Sequence, residues 1–322
     1  MAENLLEVRN LKKYFSTPRG MLHAVDNVTF NIEKGKTIGV VGESGCGKST
    51  LGKTLMRLHQ PTSGEVMFKG TDIANLDLKE FKKKYRSNIQ MIFQDPYASL
   101  DPRMSVLQLI SEPIKVNNKN LSKQEVEKKA KEMMELVGLA KRLEMAYPHE
   151  LDGGRRQRIG VARALSLNPD FIVCDEPVSA LDVSIQAQIL NLLQDLQKDR
   201  GLTYMFITHD MSVVKHISDD IAVMYLGQMI EKCPAKEIFK NTIHPYSQAL
   251  LSAIPIPNVH HKQERMILKG ELTSPIDPKP CCRFAARCPY ATDKCLAEEP
   301  VLRELKPGHS VACHYAEKFV KE

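Results

Sequence analysis

The chain has 322 residues, 43% of them hydrophobic and 26% charged, a balance that excludes global disorder and supplies a sizeable core without disulfide staples. Its 45 Lys and Arg against 39 Asp and Glu give a net charge of +6, a mild excess that suits an anionic ligand, an acidic membrane face or nucleic acid equally. No run approaches the ~18 to 20 apolar residues of a membrane span, and MAENLLEVRN lacks the order of a secretory signal. The chain is therefore expected in the cytoplasm, with any membrane contact made through partners.

In chain order, Val28, Phe30 and Ile32 alternate with polar residues, and 64–69 reads the same way, predicting a small half-exposed antiparallel sheet. Three apolar runs, 37–41, 171–174 and 204–207, have the pattern of strands buried on both faces. Leu51, Leu55 and Leu58 follow the first run at helical spacing, and Ile185, Ile189, Leu192, Leu193 and Leu196 follow the second. The alternation predicts an α/β fold with a largely parallel sheet. Residues 104–147 are charge-rich, helical in pattern and strand-free, a candidate inserted subdomain. Pro255, Pro257, Pro275, Pro278 and Pro280 mark 255–280 as a linker or extended wrap, followed by a cysteine-rich tail.

Gly42, Glu43, Ser44, Gly45, Cys46, Gly47, Lys48 and Ser49 fit GxxxxGK[ST], placed between a buried strand and an amphipathic helix. The glycines let backbone N–H groups curl around phosphate oxygens, and the helix N-terminus adds a favourable dipole. Lys48 is expected on the β- and γ-phosphates, Ser49 on Mg²⁺ and Thr50 beside it. The strand at 171–174 delivers Asp175 and Glu176 to its C-terminal end. There Asp175 would hold Mg²⁺ through water and Glu176 would polarise the attacking water. Alone, such paired acids are ordinary solvated turn residues.

Together with Gln94 in MIFQDP, GGRRQRIGVARAL at 153–165, Ser179-Ala180-Leu181-Asp182 and Ile207-Thr208-His209-Asp210, these motifs resemble the ATP-binding subunit of an ABC transporter. The resemblance covers about 4–240. FQDPYASLDPRM at 93–104, HPYSQALLSAIP at 244–255 and the cysteine tail resemble the oligopeptide/dipeptide branch, which includes nickel importers, and within it the second-ATPase subunit.

The resemblance implies a P-loop NTPase core with an antiparallel β subdomain and a helical subdomain at about 95–165, all within a cassette of 1–240. A small Cys-rich extension at 241–322 completes the chain. It implies ATP and Mg²⁺, and two ATPase subunits closing head to tail on two ATP molecules. Phe15 matches the aromatic that stacks on adenine, with Tyr14 a possible substitute and a plain core aromatic the alternative. Gln94 would sense the γ-phosphate and Mg²⁺, His209 would bond the γ-phosphate, and Asp182 would contact the partner. Implied partners are a second ATPase in a heterodimer, two permeases and, indirectly, an extracytoplasmic solute-binding protein, with no nucleic acid. The implied place is the cytoplasmic face of the membrane, and the implied activity is ATP hydrolysis driving import of peptides. Nickel or another small solute is the alternative cargo, because permease and binding protein choose it. A soluble cassette ATPase acting on nucleic acid or ribosomes is a further alternative, though this chain has neither tandem cassettes nor long coiled-coil insertions.

One segment departs from the family pattern. Where LSGGQ is usual, the chain reads Leu151-Asp152-Gly153-Gly154-Arg155. The serine hydroxyl is lost, and a carboxylate stands near phosphate charge unless Arg155 or Arg156 pairs with it. Since this segment serves the partner's ATP, the expectation is asymmetric hydrolysis, with this chain's own ATP site the more active. A neutral variant, in which backbone N–H groups suffice, is the alternative.

Cys282, Cys288, Cys295 and Cys313 form a loosely spaced set, with Cys281 a spare. Tight zinc-type pairs are absent, and structural disulfides are disfavoured in the cytosol. The resemblance points to a [4Fe-4S] cluster on these four; zinc and free thiols are the alternatives. Cys46 is expected to matter only through its N–H, although its thiol could expose ATP binding to thiol reagents. His260 and His261 read as a solvated loop.

Overall fold

The computed structural model describes residues 3–95, 97–254, 266–268, 270 and 273–320. The chain folds as two compact units, Met1–Asn75 with Phe206–Glu322, and Leu76–Met205.

The first unit begins with two long antiparallel strands, β1 (Asn4–Thr17) and β2 (Gly20–Glu33). Leu6, Val8 and Leu11 of β1 and Val28, Phe30 and Ile32 of β2 are buried, the alternating face expected of a half-exposed sheet. Next come β3 (Thr37–Val41), buried throughout, and α1 (Lys48–Leu55). Strands β4 (Ser63–Phe68) and β5 (Thr71–Asp72) complete a sheet of order β2-β1-β4-β5. Leu58, expected on the inward face of α1, lies outside the helix and is 44% exposed. The helix stops because Arg57 adopts left-handed backbone (φ 54) and its buried guanidinium donates to the Ala74 carbonyl at 2.6 Å. A local polar contact there outweighs the apolar period.

The second unit holds α2 (Leu78–Lys84), β6 (Ile89–Ile92), α3 (Val106–Asn117), α4 (Lys123–Leu136), α5 (Gly153–Leu165), β7 (Phe171–Asp175) and α6 (Val183–Arg200). Strand β8 (Thr203–Ile207) leads out of it. β6 and β7 pair in parallel, Ile89 with Phe171 through Ile92 with Cys174. Between β6 and β7 no described residue is in a strand. Capping boxes of Ser105 with Gln108 and Ser122 with Glu125 start α3 and α4, each satisfying two otherwise orphaned N–H groups. Ile189, Leu193 and Leu196 form the buried stripe of α6.

The chain re-enters the first unit with α7 (Met211–Ile217), β9 (Asp220–Tyr225) and β10 (Gln228–Pro234). β9 pairs in parallel with β3, and β10 runs antiparallel to β9. Then follow α8 (Ala235–Ile238), α9 (Pro245–Ser252), α10 (Asp293–Ala297), β11 (Arg303–Lys306) and β12 (His309–Val311). β12 adds to β10 and β11 to β12, so the C-terminal segment extends the same strand ladder.

A wholly buried carboxylate anchors that segment. Glu231 accepts from the N–H of Ile243 (2.8 Å), the N–H of His244 (3.1 Å) and His309 Nε2 (2.8 Å), the saturation a buried charge requires. In the described part of the proline-rich stretch, expected to be a linker or an extended wrap, Ile276 bridges to Leu22, and the His23 N–H donates to the Pro275 carbonyl at 2.9 Å. Pro255, Pro257, His260 and His261 lie outside the described residues.

Candidate functional site

The 42–49 loop joins β3 to α1. Lys48 is buried and folds back on its own loop, its Nζ donating to the carbonyls of Gly42 (2.7 Å) and Glu43 (3.0 Å). Gly47 stands at the N-cap of α1 with φ 108, and no side chain caps this helix. A Cβ at Gly47 would lie 2.1 Å from the Ala24 carbonyl oxygen, so only glycine fits. No side chain at the cap therefore competes for the helix N-terminus, the arrangement that receives phosphate. Ser44 and Gly45 are exposed, while Ser49 and Thr50 are half-buried at the start of α1. Cys46 is buried to 1% exposure and burial pushes its thiol up, which argues against reaction with thiol reagents.

Glu43 is held by the C-terminal segment. Both carboxylate oxygens accept from the Arg287 guanidinium, at 2.8 and 3.0 Å, and its N–H donates to Tyr246 Oη at 2.9 Å. Tyr246 sits on α9, and its ring packs with those of Tyr225 and Phe284 at centroid separations of 4.7 and 5.5 Å. Sequence reasoning missed Arg287, Tyr246 and Arg283. The one available signal was Tyr246, which lies inside the HPYSQALLSAIP stretch.

Phe15 on β1 is half-buried, with His59 against its edge and Lys13 Nζ 4.6 Å from the ring centroid. Tyr14 is already engaged: its ring stacks on His23 at 3.8 Å and its hydroxyl donates to Asp26. That leaves Phe15 as the adenine candidate. His209 follows β8 on an exposed loop, next to Thr208, whose N–H donates to the Val40 carbonyl at 3.1 Å.

In the second unit, Asp175 ends β7 in a buried position and Glu176 follows with left-handed backbone, φ 46, a conformation that concentrates at functional turns. Gln94, exposed after β6, donates from Nε2 to Glu176 Oε2 at 3.3 Å. Asp182 is the N-cap residue of α6. The departed segment opens α5: Asp152 is the N-cap, accepting from the Arg155 N–H at 2.8 Å, and its other oxygen lies 3.4 Å from Arg155 Nε. The aspartate thus caps the helix, and Arg155 partly neutralises it. Gly154 is a packing requirement, since a Cβ there would lie 2.7 Å from Ile185 Cγ2.

The cysteine tail corrects an expectation. Cys282, Cys288, Cys295 and Cys313 line one cavity of about 20 Å³ with Phe284, Tyr290 and Phe319, room for about one water. Burial pushes the Cys282 thiol up to about 12 and raises those of Cys288 and Cys313. All eight cysteines are free, and no group of described residues could hold a metal ion. The [4Fe-4S] cluster expected of this tail is therefore withdrawn, and zinc with it. The four share one cavity; spacing in the sequence carries no information about its apolar lining.

Residues 25–179 match the family model described as ABC transporter, and 230–295 that described as Oligopeptide/dipeptide transporter, C-terminal region. The chain belongs to the ABC transporter ATP-binding proteins and is an ATPase of that family. Within the family it falls among the oligopeptide transport ATP-binding proteins. It is 50% identical to oligopeptide transport ATP-binding protein AppF of Bacillus subtilis, over 97% of both chains. It is 47% identical to OppF of the same organism, over 98% of both. Among solved structures, the dimeric structure of MJ0796, a bacterial ABC transporter cassette, is 30% identical with a TM-score of 0.66, covering 71% of this chain and 98% of that one. CbiO1 from Clostridium perfringens, part of the ABC transporter complex cbiONQ, has a TM-score of 0.65 and 30% identity over 74% and 91%. Among the described residues no helix is long and apolar enough to cross a membrane.

Proposed function

We propose that this chain is the energy-coupling ATPase of a membrane importer for oligopeptides or dipeptides, peripheral on the cytoplasmic face. Near 50% identity over almost the whole length to oligopeptide transport ATP-binding proteins carries the reading. The uncapped α1 with its folded-back Lys48 supports the nucleotide part of it. The cassette, 1–240, binds ATP with Phe15 on adenine and the 42–49 loop with Thr50 on the phosphates. Ser49, Gln94 and Asp175 hold Mg²⁺, Glu176 is the general base, and His209 bonds the γ-phosphate. Binding closes this subunit on a second ATPase through Asp182 and the segment 152–155; hydrolysis reopens the pair and resets two permeases fed by a solute-binding protein. The extension, 241–322, is fastened to the cassette by Glu231 of β10, which takes the N–H groups of Ile243 and His244 and His309 Nε2.

The test is uptake by a strain lacking this chain, across labelled di- to hexapeptides and nickel, with the chain recovered from membranes by affinity capture. Loss of peptide uptake and recovery with two multi-span proteins are expected. Loss of nickel uptake alone would reassign the cargo. Recovery with ribosomes or DNA and without membrane proteins would overturn the transport reading.

A further inference from the structure

We infer that Arg287 and Tyr246 are positioning residues for ATP, through which the C-terminal segment sets the charge and shape of the phosphate loop by holding Glu43. The inference rests on the reading that 42–49 receives the triphosphate.

Glu43 puts a carboxylate at the second position of a loop whose work is to accept anionic oxygens. An unpaired carboxylate there repels the ligand. Arg287 engages both its oxygens in a fork, with the arginine side chain 11% and the glutamate 28% exposed. A bidentate, largely desolvated pair of this kind is strong and geometrically exacting. The guanidinium is itself fixed, lying 5.9 Å from the Tyr225 ring centroid. Glu43 raises the Arg287 pKa still further above its usual range by hydrogen bonding, so the cation is permanent. With its N–H given to Tyr246, Glu43 has neither its carboxylate nor its amide left for a nucleotide. Its part in the loop is to be held.

A second strut runs in parallel. Arg283 donates to the Leu226 carbonyl and to Asp26. The next residue, Gly227, donates its N–H to the Cys46 carbonyl at 2.8 Å, and its own carbonyl accepts from the Asp26 N–H at 2.8 Å. Two arginines four residues apart in the tail thus brace the loop from two sides, one directly and one through its neighbours. A loop held in its binding shape loses less freedom when ATP arrives, which raises affinity without touching the chemical step.

The test is Mg-ATP affinity of the full-length chain by equilibrium titration, with KM and kcat of its ATPase, each variant first shown to be folded by its melting curve. Arg287→Ala should raise Kd and KM about tenfold with kcat within about twofold, the split expected when ground-state and transition-state binding fall together. Arg287→Lys, which keeps charge and fold but loses the fork, should raise them about threefold. Adding Glu43→Gln to Arg287→Ala should bring both constants back to within about threefold of the parent, because the charge needing neutralisation is gone. An unchanged KM in Arg287→Ala or Arg287→Lys, or a double variant no better than Arg287→Ala, overturns the inference. Lys48→Ala is the control for the underlying reading: if it binds Mg-ATP normally, the loop is not the nucleotide site, whereas if it fails to bind while Arg287→Ala is unaffected, only the clamp falls.

Discussion

The phosphate loop and the departed signature segment use one device, a helix N-terminus behind glycines, and finish it in opposite ways. Helix α1 starts at Gly47 with no capping side chain, and the one cation inside its loop, Lys48, is turned inward onto loop carbonyls. Helix α5 starts at Asp152, whose carboxylate already takes the Arg155 N–H. At α1 no side chain caps the helix N-terminus; at α5 a fixed carboxylate of the chain stands there and offsets part of the dipole.

The largest test of this contrast is removal of Glu176, the general base proposed for this chain's own nucleotide. If the α1 side is the productive one, Glu176→Gln in the assembled importer should cut ATP turnover by about 100-fold or more. Steady-state phosphate release from the reconstituted assembly reads it. A variant retaining most of its rate would mean that the partner's nucleotide, served by α5, carries turnover, and the contrast between the two helix ends would have no catalytic meaning.

A second test concerns the support behind each end. His244 caps α9, which carries Tyr246 to Glu43, and burial pulls its pKa down from 6.5 to about 4 against an opposing effect of Glu231. The neutral imidazole accepts from the Tyr246 N–H at 3.0 Å, a bond the protonated ring cannot make. Since the unfolded chain binds the proton more readily, this site's contribution is complete above pH 6.5 and is lost as pH falls towards 4. The loss is about 3 kcal/mol over the window. Hydrogen exchange at pH 7 and pH 5 should show protection falling in α9 and the phosphate loop. The same comparison in His244→Asn, which keeps a capping side chain without the titration, should show a smaller change. Equal loss in both proteins would remove His244 as the cause.

What could be read beforehand follows the range of the interaction. The loop, its lysine and the buried strands are local patterns, and the described structure reproduces them. Of the two cations the sequence offers Asp152, Arg155 lies within one helical turn, and its Nε stands 3.4 Å from the carboxylate. The clamp was illegible because Glu43 and Arg287 are 244 positions apart, and a lone Glu or Arg in a sequence looks like solvated surface. Glu231 and His309 were invisible for the same reason. The cysteines failed differently: four of them line one cavity, but no group of described residues there could hold a metal ion, and spacing alone does not encode the geometry a metal needs.

The finest test reverses the cap at α5. Asp152→Ser keeps a good N-cap, so helix stability should change by less than about 0.5 kcal/mol, whereas Asp152→Ala should cost about 1 kcal/mol. The two substitutions therefore separate capping from charge. If the carboxylate weakens the partner's ATP site, Asp152→Ser should raise turnover of the assembly about two- to fivefold and lower its KM for ATP. The gain should be larger at low salt, where an uncompensated carboxylate repels phosphate over a longer range. Arg155 limits the gain, since its Nε lies 3.4 Å from the carboxylate and already offsets part of the charge. Turnover unchanged in Asp152→Ser at every salt concentration would mean that glycine N–H groups and the dipole alone set the strength of that site. The aspartate would then be only a cap, and the two helix ends would differ in sequence and agree in function.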